Sequence, residues 1–140
     1  MSKRFFLAYG FAAAAFLALD ALWLGYIARD FYQSQIGGLL LTQPRMGAAA
    51  LFYLIYLTGI VVFCVLPGLA AGRLVQAAKL GLLFGMIGYA TYDLTNLATL
   101  TGWNSTVTGI DILWGGFATA VAASVSTWAT RAILATPKRR

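Results

Sequence analysis

Long apolar runs separated by short polar joints make up nearly all of the chain. They cover residues 5–27, 46–66, 77–100 and 107–133. An α-helix rises 1.5 Å per residue, so about 20 apolar residues cross the hydrocarbon of a bilayer. Each run reaches that length, and the pattern predicts an all-α protein, an integral membrane four-helix bundle in one transmembrane domain spanning residues 1–140. Lys3-Arg4 before the first run give it the look of a signal peptide. The run is too long for one, contains Trp23 and lacks a convincing small-x-small cleavage site, so a retained helix is expected. The second run stops at Pro67, where a helix end is expected. Residues 28–45 form the longest connection. Gly37-Gly38 and Pro44 break it, whereas Phe31, Tyr32, Ile36 and residues 39–41 keep it apolar. It is expected to lie in the membrane interface or to fold back over the helices as a lid.

Composition sharpens the class. Of 140 residues, 61% are hydrophobic and 10% charged, with mean hydropathy +0.80. That lies far from the balance of soluble domains. There is no histidine and only Cys64. An intrachain disulfide, a His-ligated haem and the usual zinc ligand sets are therefore excluded, and no cofactor is expected. Cys64 sits inside an apolar run and reads as core packing.

The ten basic residues outnumber the four acidic ones, for a net charge of +6. They are scattered over loops and tails, so no nucleic-acid partner is expected. Their distribution is asymmetric. Lys3, Arg4, Arg73, Lys79, Arg131, Lys138, Arg139 and Arg140 fall on one side of the bundle, and only Arg29 and Arg45 on the other. The positive-inside rule then places both termini in the cytoplasm, N-in/C-in.

Polar residues inside the runs carry the candidate chemistry. Tyr89, Tyr92, Asp93 and Asn96 are spaced by three, four and seven positions in the third run, which on a helix makes one stripe. An Asp at mid-span costs about 2.5–3.5 kcal/mol to insert, so the stripe should face protein or water. The other helices are expected to gather around residues 88–103. With the termini inside, Asp20, Asp93 and Asp111 fall about 6–10 Å from the outer boundary. Tyr53, Tyr56, Trp23, Asn96, Trp103, Asn104 and Trp114 share that level. One outward polar pocket follows, lined by Asp20, Tyr89, Asp93, Asn96 and Asp111, with Arg29 or Arg45 available to neutralise a carboxylate. Plainer readings stand beside it. Asp111 follows Thr108 by three positions, as in a capping box. Asp20 would snorkel, Asp93 would bond a neighbouring helix, and the tryptophans would form an interfacial belt. Gly81, Gly85 and Gly88 suit close helix contact. Asp20-Ala-Leu-Trp23-Leu-Gly25 also matches Asp111-Ile-Leu-Trp114-Gly-Gly116. The two segments run in opposite directions, so they read as a reused local solution rather than an inverted repeat.

Three stretches together resemble a known family: Tyr89-Ala-Thr-Tyr92-Asp93-Leu-Thr-Asn96-Leu-Ala-Thr99, with the Asp20 and Asp111 segments just quoted. They resemble the motifs of domain-of-unknown-function family 2177, and the likeness runs through essentially the whole chain. The resemblance implies a small multi-span protein of the bacterial inner (cytoplasmic) membrane. It carries no assigned activity, and its genes are associated with lipid-modifying and stress genes.

Three functions compete. One is binding or transport of a small ligand or ion through the outward pocket, with Asp20, Asp93 and Asp111 suited to a hard divalent cation and the aromatic faces to an organic cation. Four helices are few for a path, so a homodimer or a membrane-complex partner is then expected. The second is a membrane enzyme or accessory protein in lipid modification or stress response, using an aspartate pair and Tyr92. The absence of an activated nucleophile weighs against an enzyme. The third is a scaffold subunit of a membrane complex, its polar residues fixing helix register.

Overall fold

The structure, a computed structural model, describes residues 3–135. The basic tail Pro137-Lys138-Arg139-Arg140 counted above lies outside the described residues. These contain five principal helices and no strand. Four are long and apolar enough to cross a membrane: α1 (Lys3–Ile27), α3 (Met46–Ala71), α4 (Leu74–Thr99) and α5 (Ser105–Ala135). The fifth, α2 (Arg29–Ile36), lies in the connection between α1 and α3.

Three of the boundaries that differ from the sequence pattern matter most. The second span does not end at Pro67. Proline removes one backbone N–H and crowds the preceding turn. A wider π turn, Val61–Val65, precedes it, and the helix continues through Pro67 to Ala71, where Gly72 closes it in the left-handed conformation at φ 64°. The third span begins at Leu74 rather than Ala77. The fourth begins at Ser105, because Asn104 is its cap: the Val107 N–H donates to Asn104 Oδ1 at 3.0 Å. Asp111 lies in the second turn and is not the capping residue.

The central helix is also not the expected one. Half of the apolar stretch of α5 is buried, against 17% of that of α4. The bundle therefore gathers around residues 105–135, not 88–103. Small residues make this possible. A Cβ on Gly85 would lie 2.1 Å from the Gly115 carbonyl oxygen, and one on Gly81 would lie 2.8 Å from that of Thr119. The backbones of α4 and α5 thus touch where the glycine spacing suggested, as small residues allow in membranes. Gly88 instead faces the Tyr56 ring of α3. Ser126 ties α5 to α1 through a 2.7 Å bond to the Ala8 carbonyl. Phe16, Ile60, Val61, Cys64 and Val65 fill the centre beside Ala118 and Ala122.

Large apolar side chains also cover the outside, among them Leu24, Leu51, Ile55, Phe63, Leu83, Ile87 and Leu113. A bundle that is apolar on both faces is a membrane bundle. Hydroxyls on the outer faces are satisfied locally. Thr58, Thr91, Thr95 and Thr99 each donate to the carbonyl one turn back, at 2.5–2.8 Å, which removes the need for water.

Close backbone approach gives a direct test. Gly85→Ala should lower the unfolding temperature of the detergent-solubilised protein, at a cost of about 1–3 kcal/mol for an overpacked contact. Gly10→Ala, which meets nothing within 4 Å, should leave it unchanged or raise it. Equal melting of both variants and the parent would refute the packing.

Candidate functional site

The three transmembrane aspartates lie at one end of the bundle, and all are buried: Asp20 is 5% exposed, Asp93 0% and Asp111 7%. Asp93 is within electrostatic reach of Asp111, and Asp111 of Asp20. Their surroundings differ. Asp20 on α1 accepts a short hydrogen bond from the Tyr53 hydroxyl of α3. Asp111 on α5 accepts another from the Tyr32 hydroxyl of α2. Tyrosines, not Arg29 or Arg45, meet these two carboxyls, and both arginines remain exposed.

Tyr32 is the member of the cluster that the sequence pattern does not single out. It sits four positions from Ala28 and four from Ile36, both buried. That spacing makes the inner face of α2, so the connection folds back over the bundle as a lid. Gln35 on the same helix accepts a 3.2 Å bond from Asn104, before α5. The Trp23 indole N–H donates to the Tyr32 hydroxyl at 2.9 Å. A relay therefore runs from Trp23 through Tyr32 to Asp111. Burial and the bond to Asp111 both raise the Tyr32 pKa, so the phenol keeps its donor proton beyond the ordinary tyrosine range.

The two matching Asp-x-x-Trp segments meet. Trp23 and Trp114 stack face to face, with centroids 4.3 Å apart and planes 7° from parallel. Trp23 opens the π turn that ends α1, Trp23–Ile27. The Trp114 N–H faces Asp20 but lies outside hydrogen-bond geometry and has no partner. These two half-buried tryptophans form a stacked pair across α1 and α5. Trp103 is half-buried and donates to Thr108 at 3.2 Å.

The stripe on α4 does not hold as a unit. Asp93 points inward and Tyr89 lies half-buried against Gly115. Tyr92 is 57% exposed and meets the Trp103 ring edge-on at 5.5 Å. Tyr92 and Asp93 are consecutive, about 100° apart around the helix, which turns the phenol away from the carboxyl. Asn96 is half-buried. Tyr56 lies one layer deeper, bonded to Thr119 at 2.8 Å and packed on Phe16, Phe52 and Phe84. The cluster is thus enclosed and not an open pocket. Among the described residues, no three acidic, histidine or cysteine side chains converge on a common metal position. Asp20 and Asp111 each commit an oxygen to a tyrosine.

Asp93 is the exception. It is fully buried and receives no hydrogen bond from an N–H or hydroxyl donor; the group within hydrogen-bond reach of its carboxyl is the Asp111 carboxyl. A buried polar group left unpaired costs about 1–3 kcal/mol. The carboxyl it faces is another acid.

A family model of predicted membrane proteins, DUF2177, matches residues 5–128, and the chain belongs to that family. The match spans all three aspartate segments. No curated protein and no solved structure matches the chain.

The tyrosine latches can be tested by deletion of one hydroxyl each. Tyr32→Phe and Tyr53→Phe should each destabilise the folded protein by about 1–3 kcal/mol, because a buried carboxyl loses its donor. Tyr92→Phe should change stability by less than about 0.5 kcal/mol. Thermal melts in detergent decide this. Unfolded tyrosine ionises near pH 10, whereas Tyr32 in the fold holds its proton. Its contribution should therefore be constant below about pH 10 and fall as the pH rises above it.

Proposed function

We propose that this is a multi-pass bacterial inner-membrane protein, both termini cytoplasmic, whose aspartate cluster binds a small monovalent cation in the outer half of the bilayer. Asp93 is the binding group. The observation that carries the reading is its carboxyl: wholly buried, without an N–H or hydroxyl donor, and set against the carboxyl of Asp111. A cation placed there would take the place of the proton that two such carboxyls would otherwise share. The basic residues at the opposite end support the orientation. A divalent ion with three carboxylate ligands is the poorer fit, because Asp20 and Asp111 are held by Tyr53 and Tyr32. Transport across the membrane would require a second copy or another subunit to complete a path.

The scaffold reading explains part of the cluster. The Tyr53–Asp20 bond joins α3 to α1, and the Tyr32–Asp111 bond joins α2 to α5. Such bonds fix helix register. They leave Asp93 without a role, which favours binding at that residue.

Titration of the detergent-purified chain with sodium, potassium or tetramethylammonium chloride at constant ionic strength tests the proposal. One cation should raise the unfolding temperature in a saturable way, corresponding to a stabilisation of about 2.7 kcal/mol at a hundredfold excess over Kd. Asp93→Asn should abolish that response, while Tyr92→Phe keeps it. Equal responses to all three salts, or a full response in Asp93→Asn, would overturn it.

A further inference from the structure

At the end of the bundle away from the aspartates, a cavity of about 330 Å³ opens between α4 and α5. It is lined by Leu74, Trp128, Arg131, Ala132 and Ala135. We propose that it is a binding site for the headgroup of an anionic phospholipid, with Arg131 as the anchor. This is independent of the cation reading at Asp93.

Three observations point to that occupant. The first is a positioned guanidinium. Arg131 donates through Nη1 to the Gly72 carbonyl at 2.9 Å. That bond uses one of five N–H donors and holds the planar group at the cavity, with donors to spare for a phosphate. The second is charge. Lys3, Arg4, Arg73 and Lys79 share this end, whereas the four acidic residues, Asp20, Asp30, Asp93 and Asp111, are all at the other. Among the described residues no carboxylate competes for the guanidinium, and a basic cavity between membrane helices matches an acidic headgroup. The start of α4 adds to the field, since its first N–H groups have no side-chain cap. The third is depth. Trp128 is 60% exposed and Leu74 and Leu134 are exposed apolar neighbours in the chain. An indole suits the headgroup level and the leucines suit acyl chains. Phosphate alone would leave this apolar lining without a partner, which favours an intact lipid.

Native mass spectrometry of the full detergent-purified chain, titrated with phosphatidylglycerol, phosphatidylcholine or inorganic phosphate, tests this. Phosphatidylglycerol should bind more tightly than phosphatidylcholine, and the preference should shrink at high salt. Arg131→Gln should weaken phosphatidylglycerol binding about fivefold, the worth of one basic residue at an anionic surface. Arg45→Gln, at the other end, should leave it unchanged. Equal binding of the two lipids would overturn the proposal, as would equal loss in the two variants or displacement of the lipid by inorganic phosphate. Should Arg131→Gln not accumulate, the salt dependence of the unaltered chain decides.

Discussion

A bilayer offers no water to a polar group, so every such group inside it must find its partner within the protein. That constraint explains most of the arrangement. Threonines on the outer faces bond back along their own helix. Ser126 reaches the Ala8 carbonyl across to α1. Tyr56 and Thr119 pair in the middle of the bundle. Asp20 and Asp111 each receive a phenol from another helix. The hydrogen bonds between helices therefore act where hydrophobic burial cannot, since lipid tails are as apolar as leucine. Against that order, Asp93 differs from the other two aspartates: no phenol reaches it, and its neighbour is the carboxyl of Asp111.

The spans and the shared level of the aspartates at one end of the bundle were legible in the chain because both follow from simple periodicities. Run length counts helices, and a 1.5 Å rise converts position to depth. Gly81 and Gly85 showed where backbones would touch. The errors are equally physical. Four positions were read as one stripe, but a helix turns about 100° per residue, and Tyr92 and Asp93 are adjacent. Proline at position 67 was read as a stop, yet a preceding π turn absorbs it. The centre of the bundle was assigned to the helix with the most polar residues. It belongs to α5, whose Ala, Ser, Thr and Gly positions bury easily because they are small.

Tyr32 was the least legible residue. Its helix is eight residues long, polar on average, and followed by two glycines. Nothing in hydropathy singles out such a segment. Only the spacing of Ala28, Tyr32 and Ile36 carried the signal, and three positions are too few to stand out. The consequence for the site is large, because this short helix closes the aspartate end, the lid-like alternative for residues 28–45 rather than the interfacial one.

The stacked pair of Trp23 and Trp114 has a meaning beyond packing. The two rings come from opposite ends of the sequence, on helices that run in opposite directions, yet lie parallel at 4.3 Å. Chromophores held so close share their excited states. The molecule thus carries an intrinsic optical gauge of the distance between its first and last membrane segments, readable without any added dye.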